Sequence, residues 1–175
     1  MTISVGLGQY VCGKAADETW VIHGIGSCIG LVLADSSARA AAMAHVVLPE
    51  VINGDLAHPA KYAETVVPFL IERLMELGAS SRALGAYVVG GAQMLTVARL
   101  GDIGRRNVET VLESLKENKV RVFEARVGGT IGRTLRWEAA RGRAVVSRVG
   151  HPDEVLTKPV HEYKEVGEHA TGARR

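Results

Sequence analysis

The N-terminal half of the chain is a succession of short apolar runs, and this constrains the fold more than any other feature. ISVGLGQYV, TWVIHGI, IGLVLAD and AAAMAHVVLP follow one another with only Gly, Asp and Ser clusters between them. Each run is short, rich in β-branched or small apolar residues and bounded by turn formers, which predicts strands. Strands separated by such short breaks pair antiparallel, because a parallel neighbour needs a long crossover.

Two helices interrupt the strands. In AHPAKYAETVVPFLIERLMELGAS, residues Ala63, Val66, Val67, Leu70, Leu74 and Leu77 recur at helical spacing and Gly78 supplies a stop. Pro68 either kinks this helix, at a cost of about 3 kcal/mol, or lies in the first turn of a helix beginning near Thr65. RRNVETVLESLKENKV reads as a second helix with Val108, Val111, Leu112 and Leu115 on its inner face. Between the two, ALGAYVVGGAQM is a buried strand ending in a Gly90-Gly91 turn. VRVFEARVGG, TLRWEAA and RAVVSRVG complete the strands, the last two joined through Arg141-Gly142 as a hairpin. The predicted class is α+β, not a regular βαβ alternation.

With 175 residues, 47% of them hydrophobic, the chain can bury a core of its own, so a single domain is expected over residues 1–151. Residues 152–175 are polar and aperiodic and are expected to form a flexible tail. A net charge of +2 with 23% charged residues excludes a polyanion binder or an acidic disordered chain by composition. The chain has no run of about 18 apolar residues, and MTISVGLGQY lacks a basic start, so a cytosolic protein without membrane insertion is expected. Cys12 and Cys28 are then free thiols. Trp20 and Trp137 are too few for a base-stacking surface and read as core, which argues against a nucleic-acid partner. Locally, residues 121–148 carry seven arginines against Glu124 and Glu138, enough to form a basic face that steers toward an acidic partner.

HGIGSCIG sets Cys28 among glycines just before the strand IGLVLAD. Gly24, Gly26 and Gly30 do not make a phosphate cradle: a strand follows where such a site needs a helix N-terminus. Cys12, Cys28, His23, His45 and His58 lack any close metal-ligand spacing, so no metal or other cofactor is expected. A thiol at a sharp turn beside Gly26 and Ser27 suits nucleophilic attack, with backbone N–H groups aimed at the developing oxyanion. Its base would be His45, which a hairpin through DSSARAA folds back toward Cys28, lowering the thiol pKa. His23 alternates with Ile22 and is expected to face away from this site. On these residues alone an inert, packed Cys28 stands beside the catalytic reading.

GIGSCIGLVLAD, MAHVVLPE, HPAKYAETVVPFLIERLMELGA, GGAQM and IGRRNVETV, in that order and spacing, resemble the chemoreceptor glutamine deamidases, the CheD family of bacterial chemotaxis. The resemblance implies a mixed β-sandwich with two helices on one side, similar to toxin deamidase catalytic domains. It implies hydrolysis of glutamine side-chain amides on chemoreceptors through a Cys28 thioester with His45 as partner. Gly26 and Ser27, with Gly90 and Gly91, are the expected oxyanion and substrate-binding residues. A CheC-type phosphatase is an expected partner besides the receptors. Two positions depart from the family: the threonine often found six residues before the cysteine is Ile22, and the acidic residue two before the later Gly-Gly pair is Arg126. The first departure keeps open a catalytically impaired module that binds receptor and phosphatase. It also predicts that Ile22→Thr speeds catalysis, unless a backbone carbonyl or water already orients His45.

Overall fold

The computed structural model describes residues 1–93 and 102–156, in which two five-stranded sheets stack face to face and two helices cover one outer side. The strands are β1 (Thr2–Ser4), β2 (Tyr10–Lys14), β3 (Thr19–Ile25), β4 (Ile29–Asp35), β5 (Ala40–Val46), β6 (Gly85–Gly90), β7 (Arg121–Val127), β8 (Arg133–Glu138), β9 (Arg143–Ser147) and β10 (Glu154–Val155). The helices are α1 (Ala63–Glu76) and α2 (Ile103–Glu117). One sheet has the order β1-β3-β8-β9-β10 and the other β2-β5-β4-β6-β7.

The second sheet is the middle layer. Every residue of β4, β5 and β6 is buried, because alternate side chains serve two different cores. Leu31, Leu33, Ala42 and Ala44 meet Val66, Leu70, Val111 and Leu115 of the helices. Val32, Met43 and Val89 meet Trp20, Ile22, Leu135 and Trp137 of the first sheet. This is the sandwich with helices on one side that the family resemblance implies.

Pairing is mostly antiparallel, as the short breaks predict, with β1–β3 and β6–β7 parallel. The β6–β7 pair closes over α2, one crossover unit within the α+β order. The hairpin through Arg141-Gly142 forms, with Gly142 at φ 58°. ISVGLGQYV is not one strand: it breaks at Gly6–Gln9 and sends β1 and β2 to different sheets. Helix α1 starts at Ala63, so Pro68 lies inside it, where Glu64 loses its main-chain partner. On α2 the buried face carries Asn107 and Ser114 besides Val111 and Leu115, while Val108 and Leu112 are half-buried. Beyond Pro152 the sheet continues, since β10 pairs with β9 and Leu156 is buried. EYKEVGEHATGARR and Met94 lie outside the described residues. No described helix is long and apolar enough to cross a membrane.

Candidate active site

In the β4–β5 hairpin Gly30 stands opposite His45 and Ile29 opposite Val46. Partners across an antiparallel pair share a face. Ile29 and Leu31 point to the helices, so Gly30 and His45 point between the sheets, as Val32 and Met43 do. Cys28, two residues before Gly30, packs on the same inter-sheet cluster. The hairpin register therefore brings Cys28 and His45 to one face at one end of the sheet. Asp35 secures the other end, its carboxylate accepting from the N–H groups of Ser37, Ala38 and Ser80. The aromatic-walled cavity formed by Trp20, Tyr87, Phe123 and Trp137 opens at that far end, beside Asp35, and not at Cys28.

His45 is 5% exposed, and its Nδ1 lies 3.3 Å from the main-chain carbonyl of Val5. A carbonyl only accepts, so Nδ1 carries the hydrogen and Nε2 holds the lone pair. Nε2 is buried with no hydrogen-bond partner among the described residues. Burial lowers the His45 pKa from its ordinary 6.5, against a smaller opposing effect of the Val5 bond, so the imidazole is neutral at neutral pH. The segment after β1 wraps the histidine: Gly8 N–H donates to the His45 carbonyl at 2.9 Å and His45 N–H to the Gln9 carbonyl at 3.0 Å. Val5 is tied in turn to Val21 at 2.8 Å. The break within ISVGLGQYV is what aims the Val5 carbonyl at the ring, and a main-chain acceptor leaves no mark in side-chain sequence.

Burial raises the Cys28 pKa, with its own backbone N–H a weaker opposing influence. The expected lowering by His45 is therefore absent in the free protein, because a neutral imidazole supplies no positive charge to stabilise a thiolate. Cys12, across from Ala42 and packed toward the helices, is pushed up to about 11, first by burial, with Arg73 lowering and Glu76 raising it further.

The turn carrying Gly26, Ser27 and Cys28 is held from β6. Gly91 N–H donates to the Cys28 carbonyl and Ala92 N–H to the Gly26 carbonyl, both at 2.8 Å. The N–H groups of Ser27 and Cys28 make no backbone hydrogen bond among the described residues. Gly90 has φ 125°, and a Cβ there would stand 2.1 Å from the Cys28 carbonyl oxygen. Gly90 and Gly91 thus let one strand end close on the cysteine turn. Gly90→Ala is expected to cost about 3 kcal/mol or more and to displace Cys28, read as a lowered denaturation midpoint together with lost turnover.

Ile22 is fully buried, and its Cδ1 would lie 3.5 Å from a Cβ on Gly30, beside Ile25 and Leu135. It therefore packs over the Gly30–His45 pair. His23 is exposed. Arg126 is locked between Glu124 at 2.9 Å and Glu154 at 2.5 Å, joining edge strands of the two sheets. Arg136 pairs with Asp153, and Arg141 and Arg143 both pair with Glu138. The expected basic face is thus partly neutralised, by acidic residues from just beyond it as well as within it, and its long-range field is weaker than seven unpaired guanidinium groups would give.

Fold and geometry together describe an α+β sandwich that holds a thiol and a neutral imidazole at one end of a β-hairpin. The family model described as CheD chemotactic sensory transduction matches residues 47–148. A probable chemoreceptor glutamine deamidase CheD of Symbiobacterium thermophilum is 41% identical over 87% of this chain and 96% of its own length. The chemoreceptor glutamine deamidase CheD of Thermotoga maritima is 34% identical over 89% of this chain and 98% of its own. A probable chemoreceptor glutamine deamidase CheD of Desulfitobacterium hafniense is 34% identical over 88% of this chain. The chain belongs to the CheD family.

Proposed function

We propose that this protein is a chemoreceptor glutamine deamidase working through Cys28 and His45. The observation that carries the reading is the state of His45: Nδ1–H anchored on the Val5 carbonyl, Nε2 unprotonated and without a partner among the described residues, on the face that carries Cys28. With a raised thiol pKa and a neutral imidazole, the resting pair is uncharged. The Cys28 proton passes to His45 Nε2 as sulfur attacks the glutamine carboxamide carbon. The N–H groups of Ser27 and Cys28 take up the developing oxyanion. His45 then gives its proton to the departing nitrogen, which leaves as ammonia with cleavage of the C–N bond. In the resulting thioester, water loses a proton to His45 and adds to the carbonyl, the C–S bond breaks, and Cys28 recovers its proton as the glutamate acid is released. The reaction needs no metal or organic cofactor, and one domain over residues 1–151, extended by β10, contains all of it.

The test is ammonia release from a chemoreceptor fragment bearing glutamines. A stoichiometric complex that releases none would identify the module that binds receptor and phosphatase without catalysis. The loss of the family threonine does not favour that alternative, because the Val5 carbonyl already orients the imidazole. Ile22→Thr is accordingly expected to leave turnover unchanged within about twofold. It places a hydroxyl among Ile25 and Leu135 and should cost about 2 kcal/mol, lowering Tm by roughly 4–8 °C in thermal unfolding.

A further inference from the structure

Asn107 lies on the buried face of α2 with no exposed surface. Its Nδ2 donates two hydrogen bonds, to the Ser27 carbonyl at 2.9 Å and to the Val47 carbonyl at 3.0 Å. Both partners are acceptors, so the orientation of the amide is fixed by chemistry: the oxygen cannot face them. Ser27 directly precedes Cys28, and Val47 lies two residues after His45. The ladder between β4 and β5 ends at Ile29–Val46, so these carbonyls stand just beyond its last pair. One side-chain amide takes the place of the next rung and joins the two strands where the thiol and the imidazole are carried.

The helix sits close enough for this because its first turn is tightly packed. A Cβ on Gly104 would come 2.8 Å from the Gly91 carbonyl oxygen and 3.0 Å from that of Ala92. The same two residues hold the carbonyls of Cys28 and Gly26. Asn107 Oδ1 is buried with no partner among the described residues. Packing alone gives no reason to bring an unpartnered oxygen into the interior, where an apolar residue of similar size would avoid the penalty.

We propose that Asn107 is a positioning residue that sets the approach of Cys28 to His45 by clamping Ser27 and Val47 together. This rests on the reading of Cys28 as nucleophile and His45 as its base. Proton transfer and attack depend steeply on the separation of the reacting atoms, and a shift of about 1 Å can cost a hundredfold in rate. The clamp holds the sulfur and the Ser27 and Cys28 N–H groups, whose contacts strengthen as charge develops in the transition state, so its loss falls on kcat more than on KM.

Asn107→Ala removes both donors, and Asn107→Asp keeps the shape while offering at most one O–H donor to the two carbonyls. Ammonia release from the glutamine-bearing receptor fragment should show kcat lowered by roughly a hundredfold with KM changed less than about threefold. The pH midpoint of Cys28 alkylation should move toward the ordinary thiol value of about 8.5 as the turn loosens. Val111→Ala, on the same helix face, should destabilise the fold and leave both readouts in place. Folded Asn107 variants with unchanged kcat and alkylation profile overturn the proposal. So does the failure of both variants to fold while Val111→Ala folds, since the amide would then hold the domain and not the thiol. Cys28→Ala separates the two readings: if it still releases ammonia the nucleophile assignment fails, and if it is inert while the Asn107 variants match wild type only the clamp fails.

Discussion

Cys28→Ala should fold normally and release no ammonia from a glutamine-bearing receptor fragment, a loss of about 10⁴-fold or more, as removing a nucleophile does elsewhere. The fold should survive because the side chain is half-buried at the margin of the inter-sheet cluster, and its turn is held by main-chain bonds from Gly91 and Ala92. Alkylation provides the companion measurement. Both thiols are raised by burial, and Cys12, at about 11, also packs into the core against the helices. Iodoacetamide should therefore label Cys28 first and abolish activity in proportion to labelling. Labelling of Cys12 first, with turnover retained, contradicts the assignment.

His45→Gln should lower kcat by about 10³-fold, within the range for removing a general acid-base group. Its pH dependence follows from the direction of the shift. Burial depresses the folded pKa below 6.5, so the neutral base persists below that value and wild-type kcat should hold through pH 6.5 before falling on the acid side. The unfolded chain takes up this proton at a higher pH than the folded one. Stability from His45 is thus fully present above pH 6.5 and lost as pH falls through the depressed folded value. Cys28 acts in the opposite sense, contributing stability at lower pH that is lost as pH rises through its raised value. Urea unfolding between pH 5 and 8 should show the acid decline in wild type and a flatter profile in His45→Gln. An identical decline in both would mean that another group causes it.

The strands IGLVLAD and AAAMAHVVLP were legible because apolar runs between turn formers have few other ways to fold; β4 matches the first residue for residue, and β5 takes Ala40–Val46 of the second, ending before VLP. That Cys28 and His45 come to one face at one end of the hairpin was legible for the same reason, since a short hairpin loop fixes the register, in which Gly30 stands opposite His45. The reading failed where one run served two sheets. ISVGLGQYV has the composition of a single strand, yet Gly6–Gln9 turns the chain between layers. Ile22 stands where the family often has a threonine, and the main-chain carbonyl of Val5 that meets the imidazole in its place leaves no mark in side-chain sequence. Arg126 looked like an exposed cation because Glu154 lies 28 residues away in sequence.

The sequence by itself determined the α+β class, the hairpin that carries both candidate site residues, and the Gly90-Gly91 turn that ends β6. These follow from local sterics and from the two periodicities of apolar residues, which a chain carries in its own order. Only the tertiary structure decided which nitrogen of His45 bears its hydrogen, that the resting thiol is not ionised, and that Asn107 bridges Ser27 and Val47. Those properties arise from the Val5 carbonyl, from burial between two sheets and from a helix packed across a strand end. They depend on groups brought together through space, and desolvation and main-chain hydrogen bonding acquire their values only once the layers have closed.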